Sequence, residues 1–77
     1  MSSDELLDRA ADIIAKARAD CLELGVSPQE LAELLLDDAV LGLYAAGRGR
    51  REATQFFRDY LQRRIPHWYG ILPERDA

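Results

Sequence analysis

Ser27-Pro28-Gln29-Glu30 is the stretch of this 77-residue sequence that decides the fold, because its residue types mark the start of a helix. Ser27 is a favoured N-cap. Pro28 suits the first helical position, because the backbone N–H that proline lacks would have no hydrogen-bond partner within the helix there. Glu30, three residues after the cap, completes a capping box. Gly25 suits the left-handed position that ends a preceding helix. The stretch therefore predicts that one helix ends and a second begins at once.

Helical periodicity on both sides of this junction predicts an all-α, three-helix unit over residues 1–66. The first helix is capped by Ser3 and carries a single apolar face as far as Leu24. The second helix runs from Pro28 to about Ala46. The third runs from Arg50 to Ile65, because Pro66 disfavours helical geometry in the residue before it.

The second helix is apolar on two faces, and this pattern predicts self-association. Leu31, Leu35 and Leu36 belong to a broad main face, which a three-helix unit would bury. The second apolar face of this helix must then be covered by a further layer of structure. We predict that this second face is the interface of a helical-bundle homodimer, in which Gly42 allows the backbone of the other copy to come close. The predicted interface residues are Leu34, Leu41, Gly42 and Ala45.

The last eleven residues, 67–77, predict an irregular aromatic tail. They have no helical period, and their apolar content is too high for a freely solvated terminus. The tail is therefore expected to cover its own domain or to dock on a partner, which is either a second copy or another protein. The residues expected to make this contact are Trp68, Tyr69, Ile71 and Leu72.

Charge is distributed unevenly along the chain, whose net charge is -4. Residues 1–47 carry ten acidic and three basic side chains, whereas residues 48–77 carry seven basic and four acidic ones. The basic part gives an alternative function, the binding of nucleic acid through phosphate contacts. The arginines that would contact an anion are Arg48, Arg50, Arg51, Arg58 and Arg63.

Cys21 to Leu31 has the outline of a helix-turn-helix motif, with a small residue, a glycine and then a capped helix. The helix that would enter the DNA groove carries Glu30, Glu33 and Asp37, which repel phosphates. A plain glycine-ended helix junction is therefore the better interpretation.

The residue types for catalysis or metal binding are scarce, so we expect no enzyme activity, no cofactor and no metal. Cys21 lies on an apolar helix face and His67 lies in the tail, so neither has a predicted catalytic partner. A row of Glu30, Glu33 and Asp37 supplies one wall of a carboxylate site and lacks histidines from a facing helix. Gly47 to Arg51 lacks the Gly-Lys-Ser/Thr ending of a phosphate loop.

A cytoplasmic location is expected, without a membrane contact. The first residues are acidic, unlike a secretory signal, and no apolar run approaches the roughly 18 residues of a membrane span. The sequence thus predicts a small acidic protein that acts as an interaction, adaptor or regulatory module.

Overall fold

Three helices make up the fold in a computed structural model that describes residues 2–75. They are α1 (Ser3–Glu23), α2 (Pro28–Ala45) and α3 (Arg50–Tyr69). No strand occurs in these 74 residues. The predicted all-α class and the number of helices are therefore confirmed.

The first helix begins one residue earlier than the sequence pattern predicts. Ser2 is the N-cap, and its hydroxyl oxygen accepts a hydrogen bond of 3.3 Å from the Glu5 N–H. The Ser2 carbonyl also accepts from the Leu6 N–H at 3.1 Å. The prediction of Ser3 as the cap is wrong, because Ser2 caps the helix equally well and lets Ser3 join it.

The junction between α1 and α2 has the predicted geometry. Gly25 has a φ of 99°, and the hydrogen bonds Gly25 N–H to Leu22 O and Val26 N–H to Cys21 O form a Schellman ending. The Glu30 N–H donates to the Ser27 hydroxyl, and the Ser27 N–H donates to the Glu30 carboxylate, both at 3.1 Å. The capping box lowers the pKa of Glu30, because the hydroxyl and the N–H of Ser27 stabilise the carboxylate.

A second Schellman ending closes α2. Gly47 has a φ of 84°, its N–H donates to the Tyr44 carbonyl, and the Arg48 N–H donates to the Leu43 carbonyl, each at 3.0 Å. The helix ends at Ala45, one residue before the predicted end, which is within the usual boundary error. Gly49 is the N-cap of α3 and makes no side-chain cap bond.

The third helix continues to Tyr69, through Pro66, so the predicted end at Ile65 is wrong. Proline disfavours the helical conformation in the residue before it but does not forbid it. The last turn is held by hydrogen bonds from the Gly70 N–H to the Pro66 carbonyl and from the N–H groups of Ile71 and Leu72 to the Trp68 carbonyl. Irregular structure begins at Gly70.

The described residues form two compact units, one up to Ala39 and one from Val40 onward. In the first unit Leu31 is the buried core residue, 6% exposed. In the second unit the half-buried apolar residues are Leu43, Ala53 and Phe57. The predicted division into a domain over residues 1–66 and a tail over residues 67–77 stays a prediction, and its residues Met1, Asp76 and Ala77 lie outside the described part of the chain.

The apolar residues of α3 are covered only in part. Within the second unit, Phe56 stacks on Tyr60 and meets the edge of Phe57, with ring centroids 5.8 Å apart in both pairs. Phe56, Tyr60 and Leu61 nevertheless remain exposed, whereas Ala53 and Phe57 are half-buried.

Candidate functional site

The apolar side chains of the first unit are mostly exposed to solvent. Leu34, a predicted interface residue on α2, is 57% exposed, and Leu35, one residue further, is 46% exposed. The apolar face of α1 is also accessible to solvent. Its exposed members are Leu6, Leu7, Ile13 and Ile14.

The second unit carries the remaining predicted interface residues at the C-terminal end of α2. Leu41 is 66% exposed, and Ala45 is exposed as well. A Cβ added to Gly42 would meet no atom within 4 Å in the described part of the chain, the helix's own backbone aside. The close approach predicted at Gly42 is therefore not made within the chain, and it stays a prediction for a partner.

Leu34, Leu41 and Ala45 form what we call the apolar stripe of α2. At about 100° per residue, these three side chains lie within an arc of about 40°. Glu30 and Asp37 border the stripe on one side, in the predicted acidic row. Asp38 borders it on the other side, which the sequence interpretation missed although the same angular count places it there. The stripe is therefore narrow and has carboxylates on both sides.

The five predicted anion-contact arginines do not form one cluster. Three of them, Arg50, Arg51 and Arg58, are exposed and line one depression on α3, together with Thr54 and Gln55. We call these three residues the arginine patch.

The other two predicted arginines have contacts of their own. Arg48 forms an ion pair of 3.0 Å with Glu52, the only one among the side chains of residues 2–75. The Arg48 guanidinium, together with the Gly49 N–H, lowers the pKa of the Glu52 carboxyl. Arg63 lies over the ring of Tyr60 at 5.7 Å. Arg48 and Arg63 are thus partly engaged, and the arginine patch carries the accessible positive charge.

A cleft of about 490 Å³ lies within the second unit, beside the arginine patch. Its walls combine apolar and aromatic side chains with two arginines at the edge. The residues that line it are Val40, Tyr44, Arg48, Gly49, Arg50, Ala53, Thr54 and Phe57. Sequence reasoning did not find this cleft, because it depends on how the two sides of the turn at Gly47 meet.

The predicted docking residues of the C-terminal segment are all exposed, but half of them are helical. Trp68 and Tyr69 lie in the last turn of α3, whereas Ile71 and Leu72 follow it. The guanidinium of Arg64 lies 5.6 Å from the centre of the Trp68 ring, and Arg64 is half-buried. Trp68 is therefore oriented by a cation–π contact within its own helix.

The candidate nucleophile and base belong to different units. Cys21 is a half-buried free thiol in the first unit, and His67 meets the edge of the Trp68 ring at 5.5 Å in the second. Among residues 2–75, no three His, Cys, Asp or Glu side chains gather in a way that could hold a metal ion. None of the three helices is both long enough and apolar enough to span a membrane.

No protein family, no curated protein and no solved structure matches the chain.

Proposed function

We propose that this protein is a small, non-catalytic helical module that self-associates as a homodimer through α2 and acts in interaction or regulation. The observation that supports this most is the exposure of the apolar stripe. Leu34 and Leu41 are the most exposed leucines of α2, and both face the sector that the sequence pattern leaves unpaired. Exposed apolar area of this kind marks a protein interaction site.

A second copy of the chain is the partner that this surface favours. A chain of fewer than 80 residues buries little apolar area by itself. Self-association increases the buried apolar area without a disulfide or a metal. Each leucine transferred from water to an interface contributes about 1.5–3 kcal/mol at full burial. A two-fold interface uses every stripe residue twice, so a short stripe can support a dimer.

The exposed aromatic segment at the end of the chain has a place in the same proposal. Trp68, Tyr69, Ile71 and Leu72 would seal the dimer interface or bind another protein, since aromatic residues are enriched in such contacts. We place the module in the cytoplasm. Its single cysteine supports this, because small secreted domains usually depend on several disulfides.

Leu41→Asp tests the proposal. We expect the wild-type chain to have the mass of a dimer at micromolar concentration, and the variant to be monomeric, because two aspartates would meet in an apolar contact. The measurement is sedimentation equilibrium over a range of concentrations. Leu41 is exposed in the chain, so the variant should fold normally, which circular dichroism would check.

Leu24→Asp is the matched control. Leu24 is 84% exposed, lies at the C-cap of α1 and is not one of the stripe residues. This variant should keep the wild-type mass. A wild-type chain that stays monomeric up to high micromolar concentration would contradict the proposal, and so would a Leu41→Asp variant that dimerises as well as the wild type.

A second candidate function, nucleic-acid binding, is favoured by the arginine patch. Arg50, Arg51 and Arg58 lie together on one exposed surface, and the first turn of α3 adds N–H groups that suit phosphate. If this function applies, the chain should retard RNA or DNA at low salt. Arg50→Ser with Arg51→Ser should reduce the slope of log affinity against log salt by about 2. Absence of binding at low salt would remove this candidate.

A further inference from the structure

Carboxylates flank the apolar stripe on both sides, and the pairing of two α2 helices alone leaves their charge without a partner. Glu33 and Asp37 lie on one side of the stripe and Asp38 on the other, and all three side chains are exposed. Glu30, the remaining member of the acidic row, is occupied in the capping box. Two stripes brought together would therefore concentrate carboxylates at the edges of the contact, and like charges there oppose association.

The chain carries the compensating charge in its second unit. Described residues up to Ala39 include ten acidic and three basic side chains, whereas the arginine patch begins just after α2 ends. Arg50 and Arg51 occupy the first turn of α3, and the N-cap Gly49 makes no side-chain cap bond. Glu52 lies in the same turn and pairs with Arg48, so Arg50 and Arg51 keep their positive charge without an ion pair among residues 2–75.

We propose that the two α2 helices of the dimer are antiparallel, and that Glu33 and Asp37 of one copy contact Arg50 and Arg51 of the other. This inference rests on the proposed self-association through α2. It names the orientation of the pair and the charged residues that fix it.

The position of the charges along α2 supports the antiparallel arrangement. In an antiparallel pair centred on Leu41, a residue four positions before the centre lies level with the residue four positions after it. Asp37 of one copy then lies level with Ala45, the last residue of α2, in the other, and Glu33 lies one helical turn beyond that end, on the side of the turn that leads to Arg50 and Arg51. In a parallel pair the acidic rows of the two copies would lie at the same level along the helices, and so would the two sets of arginines. Charge complementarity thus selects the antiparallel pair.

The experiment uses two charge-reversed forms of the full chain. Variant A carries Glu33→Arg and Asp37→Arg, and variant B carries Arg50→Glu and Arg51→Glu. Each variant alone should dimerise more than about tenfold more weakly than the wild type, because like charges then meet at both ends of the interface. An equimolar mixture of A and B should form a heterodimer with about the wild-type affinity, since every contact again joins opposite charges.

Asp8→Arg with Asp12→Arg is the matched control for variant A, because it makes the same change of net charge on the polar face of α1. It should leave dimerisation unchanged. The measurement is sedimentation equilibrium of each variant and of the mixture, with one variant fluorescently labelled to identify the heterodimer.

The outcomes separate this inference from the proposal on which it rests. If the wild type dimerises and variants A and B dimerise equally well, the charged contact is wrong while self-association stands. If A and B are weakened and their mixture gives no heterodimer, the charges act within one copy and the inference is overturned. A monomeric wild-type chain would overturn the proposed self-association itself.

Discussion

Pro66→Ala is expected to stabilise the last turn of α3 by up to about 3 kcal/mol, which is the cost of proline relative to alanine inside a helix. Pro66 has no N–H for the Gln62 carbonyl, and its ring crowds that carbonyl. Alanine restores this hydrogen bond. Hydrogen exchange measured by NMR should show the amides of His67 to Gly70 exchanging up to about a hundredfold more slowly.

Gln62→Ala is the control for this change, since it replaces an exposed residue of the same helix with the same residue type. Its effect should stay within a few tenths of a kcal/mol. Equal exchange rates at His67 to Gly70 in the wild type and in Pro66→Ala would mean that α3 ends before Pro66 in solution. That result would favour the irregular tail from residue 67 that the sequence pattern predicts.

Leu31→Ala is expected to destabilise the first unit by about 2 kcal/mol, near the lower end of the range for a buried leucine. Leu31 is the single buried residue among residues 2–75, so the truncation removes apolar contacts that no other side chain replaces. The value lies near the lower end because exposed neighbours let solvent and side chains fill the space. Urea denaturation followed by circular dichroism, at one fixed protein concentration, measures the change in free energy of unfolding.

Leu35→Ala serves as the matched control, because it makes the same truncation one turn further along the same helix. Leu35 is about half exposed, so the loss should be close to 1 kcal/mol. If both variants lose the same stability, Leu31 is not the centre of the first unit. A larger loss of stability at Leu35 than at Leu31 would show that Leu35 is more buried in solution than it is in the structure of the chain.

Local sequence signals predicted the ends of the helices where a few neighbouring residues control them. The capping box at Ser27 and Glu30 and the glycine ending at Gly25 have the predicted hydrogen bonds. These contacts span three to five residues, so their chemistry can be read directly from the sequence. The observed N-cap of α1 lies one residue before the predicted one, because Ser2 and Ser3 both carry a hydroxyl that can cap the helix.

The candidate interaction surfaces depended more on structure. The sequence pattern predicted five arginines as one set of anion contacts, but it could not show that Arg48 pairs with Glu52 while Arg50 and Arg51 join Arg58 in one patch. Side-chain rotamers decide such pairings, and several are equally compatible with the same spacing. The cleft beside the patch was missed because it depends on how the two sides of the turn at Gly47 meet.

The helix junction at Ser27-Pro28-Gln29-Glu30, the all-α class and the two-faced character of α2 were determined by the sequence alone. They depend on backbone hydrogen bonds between near neighbours and on a fixed angle per residue. The tertiary structure decided which apolar residues are covered and that α3 passes through Pro66 to Tyr69. Leu31 is buried, and the half-buried apolar residues are Cys21, Val26, Leu43, Ala53 and Phe57. These features depend on many contacts and hydrogen bonds acting together across a whole unit. A pattern of a few neighbouring residues therefore cannot predict them.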